Sequence, residues 1–250
     1  MRFAARSDVG FVRKQNQDAV AVRSDDDGLG LVVVADGMGG EAAGDVASSL
    51  ALEAVTRVFF QPETAAATVD RLTMAVQQAN ARIYEEARQV EPYAGMGTTI
   101  VAAAATQDEV CVAHVGDSRA YLLEGDGELR RLTQDHSLVN ELVRRGQITA
   151  ESAVHHPQRH VLSRSLGTEA EVQVEAGRFA WKAGDCLMLC SDGLTGCMTD
   201  EELAAVLLGH TEVGEQVRLL IEQALARGGH DNVTVAIVMH DGENHWRDCG

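Results

Sequence analysis

Four compact apolar runs stand out along the chain: Leu31–Ala35, Val110–Val115, Leu187–Cys190 and Val233–Met239. Each has the length of a strand, and three are rich in Val or Ile, so all four read as buried strands. Five weaker segments join them: Phe3–Arg6, Ala19–Arg23, Thr98–Ala105, Arg119–Leu123 and Val172–Arg178. Together they suggest two sheets. Helical spacing is as clear. Between Gly44 and Phe59, Val46, Leu50, Ala54 and Val58 recur at every fourth position. Thr64–Arg88 carries Val69, Leu72, Val76, Ala79 and Ile83 in alternating steps of three and four, one apolar stripe on one face. Glu212–Arg227 repeats the idea and stops at Gly228-Gly229, a C-cap signal. The segment His136–Gly167 holds a short helix, Leu138–Arg145, and few strand signals, so it is expected as an insertion over one end of the core.

The strands do not alternate with the helices as a doubly wound sheet requires. Helices come as a pair after the third strand, and a meander of strands follows. That order predicts an α+β fold of stacked antiparallel sheets with helices packed outside. Three prolines and no low-complexity linker argue for one domain, residues 1–241, with a short C-terminal tail, 242–250.

Composition narrows the function. The 250 residues include 38 acidic and 21 basic side chains, a formal net charge of -17. Such an excess of acid argues against binding nucleic-acid backbones or an anionic membrane. No apolar stretch approaches the ~20 residues that span a bilayer, and the opening MRFAARSDVG lacks the apolar core of a signal peptide. A soluble, cytoplasmic monomer is expected. Five cysteines with no CxxC pair indicate neither a disulfide framework nor a zinc ribbon. Cys186 and Cys190 sit within an apolar run and read as small buried hydrophobes.

The informative feature is where the aspartates fall. Asp36 follows Leu31–Ala35 and precedes Gly37; Asp192 lies two residues beyond Cys190 and precedes Gly193. Asp117 sits in GDSR between two strand runs, Asp231 in HDN just before Val233–Met239, and Asp18 just before a short strand. A lone Asp-Gly is ordinarily a turn. Five such acids, four abutting strongly apolar runs, can instead converge at one edge of the core, where they repel one another unless a cation intervenes. Oxygen donors without a Cys or His cluster select magnesium or manganese. Two such ions ~3.5–4 Å apart can activate a shared water, so the chemistry points to a binuclear hydrolase. The glycine after Asp36 lets its carbonyl approach an ion closely. Arg13, close in sequence to these acids, suits bidentate binding of a phosphate, or else a surface ion pair.

The ordered motifs SDVGFVRKQNQDA, VADGMGGEAAGDVAS, GTT, HVGDSRAYLL, LTQDHSLV, GDCLMLCSDGLTG and GGHDNVTV resemble the metal-dependent serine/threonine protein phosphatases of the type 2C (PPM) family, in their compact bacterial form. The resemblance runs from about Ser7 to Met239. It implies a four-layer α-β-β-α sandwich with metals at one end. By motif position, Asp36 is shared by two ions, the Gly37 carbonyl binds one, and Asp192 and Asp231 complete the other's shell. Asp18 is an outer ligand or acts through water, and Asp117, with Asp192 shared, matches the holder of a third, weaker ion. Arg13 matches the phosphate-binding arginine, and His136–Gly167 the flap beside the active site. The implied activity is hydrolysis of phosphoserine and phosphothreonine in proteins with Mg²⁺ or Mn²⁺, reversing a bacterial serine/threonine kinase.

Three positions depart from relatives. Met38 stands where animal members carry a histidine proposed as general acid, Glu41 where many bacterial members carry one, and Gln17 replaces an acidic residue. None is a direct ligand, but the acid that protonates the leaving alkoxide is left unassigned. His136 and His230 read as structural supports and His155-His156 as surface. Two other readings stay open: a pseudophosphatase that binds phosphoproteins without turnover, although every expected carboxylate is present, and a two-metal enzyme for a small phosphate ester or nucleotide. A cysteine-phosphatase mechanism is excluded by the absence of a CxxxxxR loop.

Overall fold

The computed structural model describes residues 1–40, 43–61 and 68–250, and among them two six-stranded sheets lie face to face. The first contains β1 (Arg2–Asp8), β7 (Arg119–Leu123), β8 (Leu129–Arg131), β10 (Cys186–Cys190), β11 (Val233–Met239) and β12 (Arg247–Asp248), in the order β12-β1-β11-β10-β7-β8. The second contains β2 (Asp18–Ser24), β3 (Gly30–Met38), β5 (Ile100–Ala105), β6 (Glu109–Val115) and β9 (Glu175–Ala180), in the order β2-β3-β5-β6-β9, with β4 (Gly97–Thr98) paired to the end of β3. All pairings are antiparallel except the two-residue contact of β1 with β12.

The uninterrupted apolar runs have a simple cause: both faces of each central strand are covered. In β3, Val32 and Val34 point between the sheets, with Val101, Val112, Leu122, Leu187 and Val238. Leu31, Val33 and Ala35 point the other way, onto α1 (Gly44–Phe59) and α2 (Thr68–Gln89). In the other sheet Met188, Val235 and Ile237 face α6 (Asp200–Gly209) and α7 (Val213–Ala226). The result is the expected sandwich, with one apolar layer between the sheets and one under each helix pair. The short helices α3 (Leu138–Arg144) and α4 (Ala150–Val154) lie in the insertion, and α5 (Asp192–Thr195) follows β10.

Several details differ from the sequence reading. The buried face of α1 is Ala47, Ala51, Ala54, Val55 and Val58, while Val46 and Leu50 are only partly buried. Small side chains let α1 approach α2 closely, so alanines take the innermost stripe. Val172 and Val174 pack on the helix-side core ahead of the ladder, and β9 starts at Glu175. Thr98–Ala105 splits into β4 and β5 at Thr99. The predicted start of the second helix, 64–67, lies outside the described residues, as does Glu41.

Candidate active site

The ladder registers bring the strand-end acids to one end of the sandwich. Asp18 opens β2 directly opposite Asp36 in β3. Cys190 pairs with Arg119 and with Val235, so the residues just beyond (Asp192, Asp117 and Asp231) emerge at the same edge. Two glycines permit the close approach. A Cβ on Gly37 would lie 1.9 Å from the Gly44 carbonyl oxygen, and one on Gly193 would lie 1.9 Å from that of Asn232. The first contact seats α1 against the Asp36 turn; the second holds the Asp192 and Asp231 turns together.

Asp36, Asp117, Asp192 and Asp231 line one open cleft of about 1970 Å³, with Gly37 and Arg13. Asp18 lies behind them, buried. Its Oδ2 accepts hydrogen bonds from Ser191 Oγ and Thr234 Oγ1, both at 2.7 Å, while its Oδ1 is buried with no partner. The Asp36 backbone is fixed on both sides. Its N–H donates to Thr99 Oγ1 (3.1 Å), and its carbonyl accepts from Thr98 Oγ1 and the Thr99 N–H, both at 2.9 Å. Thr99 Oγ1 also meets Ser118 Oγ at 2.7 Å, so the GTT and GDSR motifs brace each other under Asp36 and Asp117.

Crowded acids in a protein environment resist ionising. Burial first, and then the charges of Asp192 and Asp231, push the Asp18 carboxyl up to about 7. Burial and then Asp192 push Asp117 to about 7. Asp36 is raised well above the usual carboxylate range by burial and then by Asp18, Asp192, Asp117 and Asp231; Asp192 is raised by burial and then Asp231. Arg13 answers part of this charge: its Nη2 donates to Asp231 Oδ2 at 2.8 Å, and its guanidinium is 55% exposed. A cluster of oxygen donors that repel one another, with a buried carboxylate oxygen lacking any partner, has the chemistry of a divalent-cation site. The residues present fit such ions.

A polar clamp that sequence reasoning missed holds Arg13 in place. Asn232 Oδ1 accepts the Gln17 N–H at 2.8 Å, and its Nδ2 donates to the carbonyls of Val9 (2.9 Å) and Gln15 (3.0 Å). One carboxamide thereby closes the loop that carries Arg13. Gln17 reaches forward from Nε2 to the Gly40 carbonyl at 2.6 Å. His136 is buried, and it stacks on His114 with ring centroids 4.7 Å apart. His230 lines the cleft. Burial pushes the Cys186 and Cys190 thiols up to about 12, which suits inert core residues. Among the described residues, no helix is long and apolar enough to cross a membrane.

The relatives of this arrangement are extensive. A Listeria monocytogenes protein named serine/threonine phosphatase stp is 40% identical over 248 residues, 98% of this chain and 98% of its own. The crystal structure of the Mycobacterium tuberculosis serine/threonine phosphatase PstP/Ppp superposes with a TM-score of 0.86 at 41% identity, covering 94% of this chain and 97% of that one. A structure of the PstP catalytic domain in complex with 2 manganese ions gives a TM-score of 0.83 at 39% identity, covering 94% and 96%. The family model described as protein phosphatase 2C matches residues 12–227, a span that takes in Arg13 and four of the five strand-end aspartates. Motifs, sandwich and acidic cleft agree with that match, and the chain belongs to the protein phosphatase 2C family as a protein-serine/threonine phosphatase.

Proposed function

We propose that the cleft hydrolyses phosphoserine and phosphothreonine in proteins with two Mg²⁺ or Mn²⁺ ions, and that its physiological work is to reverse a serine/threonine kinase. Asp36 is the ligand common to both ions, the Gly37 carbonyl serves one, and Asp192 and Asp231 serve the other. Asp18 stands behind as an outer ligand, and Asp117 with Asp192 holds a third, weaker ion. Bound there, the ions supply Lewis acidity: they offset charge on the phosphoryl oxygens and lower the pKa of water. Arg13 keeps one N–H on Asp231 and turns the rest of its five-donor fork to the phosphate. Thr98, Thr99 and Ser118 keep Asp36 and Asp117 from shifting as charge moves through the cleft. Met38 has no proton to donate to the leaving alkoxide. Residues 1–241 form the catalytic unit in this reading.

The observation that supports it best is the convergence of four half-buried aspartates on one cleft, backed by the partnerless Oδ1 of Asp18. The deciding assay compares manganese-dependent turnover of a phosphothreonine peptide with that of p-nitrophenyl phosphate. Turnover of both, with the peptide at the higher kcat/KM, is expected. Turnover of the nitrophenyl ester alone favours a small-ester hydrolase, and turnover of neither favours a pseudophosphatase.

A further inference from the structure

The insertion returns to the core through a strap that runs along the cleft wall. A backbone bridge joins Leu162 to Ser137, and the Ser163 N–H donates to the His136 carbonyl at 2.9 Å. At the other end Leu166 bridges Thr98 through reciprocal N–H···O bonds of 2.8 and 3.1 Å. Thr98 in turn holds the Asp36 carbonyl. The strap is therefore tied to the strand that carries Asp36, and its side chains keep a fixed relation to the acid cluster. Arg164 lies between these ties and Arg159 three residues ahead of the first, in a turn closed by its own N–H on the His156 carbonyl at 3.1 Å; both line the cleft. Neither makes an ion pair among the described residues, in a chain with 38 acids to choose from. Glu169 and Glu171 line the same cleft and pair with neither. His160, next to Arg159, lines the same cleft.

Unpaired guanidinium groups on a strongly anionic molecule, held beside the reaction centre, are placed to meet an anion from outside. We propose that Arg159 and Arg164 form an anion subsite that selects phosphorylated segments carrying a further negative group near the scissile phosphate, either an acidic side chain or a second phosphate. The five residue steps from Arg159 to Arg164 reach at most about 17 Å, the length of a few residues of extended peptide. Arg13 takes the reacting phosphate, and the strap takes its neighbour. The proposal rests on the phosphatase reading of the same cleft.

The test uses the manganese-loaded full chain and phosphothreonine peptides of one length with Ala, Glu, Lys or a second phosphothreonine in the flanks. We expect kcat/KM for the Glu-flanked or doubly phosphorylated peptide to exceed that of the Ala-flanked one about tenfold at low salt. That advantage shrinks as ionic strength rises. Whichever of the two peptides gains more identifies the source of the anion. Arg159→Glu with Arg164→Glu should move the preference to the Lys-flanked peptide, and Arg159→Gln with Arg164→Gln should flatten it. Ala- and Glu-flanked peptides within twofold of each other, with p-nitrophenyl phosphate still hydrolysed, would overturn the subsite alone. A preference for acidic flanks that survives the charge reversal would overturn it too. Hydrolysis of no substrate at all would overturn the subsite and the phosphatase reading together.

Discussion

Two clusters of metal-type donors reach the turn that follows β6, and they differ in one respect. On one side are the aspartates; on the other, His114, His136 and Glu175 bring three potential ligand atoms within 4.8 Å of one another. In the imidazole cluster both ring nitrogens of the central His136, and one of His114, are already in use. His114 Nε2 meets the Gln134 carbonyl at 2.8 Å; His136 Nδ1 accepts the Gly116 N–H at 3.2 Å, and its Nε2 meets Glu175 at 3.2 Å. A ring that accepts at Nδ1 and donates at Nε2 is neutral and has no lone pair left for an ion. Burial above all holds both histidines below their ordinary value, which favours that neutral form. The aspartates have the opposite status: crowded, mutually repelling, and backed by a buried oxygen with no partner. Donor type alone does not make a metal site. Unsatisfied donors do.

The sharpest way to break this contrast is Asp36→Ala. With Asp36 as the proposed ligand common to both ions, its loss should lower manganese-supported phosphopeptide turnover by about a thousandfold, several kcal/mol of transition-state stabilisation. The same change should raise the melting temperature of the metal-free protein, because it removes the most crowded acid of the cluster. Retention of more than about a tenth of the activity would refute the shared-ligand role.

Next in size are Arg13, proposed to bind the phosphate, and the residue that holds its loop. Arg13→Ala should raise KM for phosphopeptides about tenfold and lower kcat less, since ground-state binding is the role proposed for it. Asn232→Ala should do the same through a different residue, because the carboxamide closes the loop carrying Arg13. The contact from Asn232 to Asp231 comes from its backbone N–H, so it survives the substitution. The double variant should be little worse than either single one, as expected of residues acting through one element. Full additivity in KM, or a fall in manganese affinity for Asn232→Ala, would show that Asn232 works through Asp231 instead.

A smaller effect concerns pH. Asp18 and Asp117 sit near 7 in the folded, metal-free protein, against an ordinary carboxylate value near 4 when unfolded. The folded state then binds more protons than the unfolded one between those limits. Stability is fully present below about 4 and is lost as pH rises through about 7. In chelator, the melting temperature should fall by several degrees from pH 5.5 to pH 8. With saturating manganese the trend should reverse, because ion binding releases those protons. An unchanged slope with and without metal would separate the raised carboxyls from the ion site.

How much of this was legible in the sequence follows the range of the interactions. The apolar runs ending in Asp-Gly are local signals, so the sandwich and the strand-end acids could be read directly. The groups that hold those acids could not: Asn232 meets Gln17 across 215 positions, and Ser191 and Thr234 meet Asp18 across 173 and 216. Serine, threonine and asparagine are common everywhere, and nothing local marks the ones that a fold will bring together. His114 escaped for the same reason, since its partner His136 lies 22 positions on. Helix α6 is a different kind of omission. Its start is written in Thr199 and Glu202, which form a capping box in which each side chain meets the other's backbone N–H. The signal was present; a weak apolar periodicity hid it.

The last prediction tests the closed cluster directly. His136→Ala removes the acceptor for the buried Gly116 N–H and the stacking partner of His114, which should cost about 1–3 kcal/mol of stability. Metal binding should be left as it was: calorimetric titration of manganese into the variant, below its melting temperature, should give the stoichiometry and affinity of the parent chain. Zinc is the more demanding probe, since imidazole suits it better than it suits manganese. If the His136 ring nitrogens are committed as the hydrogen bonds indicate, zinc finds no additional site in the parent that the variant lacks. Loss of one zinc equivalent on substituting His136 would mean that the Gly116 contact yields to an ion, and that satisfied donors are no barrier to binding here.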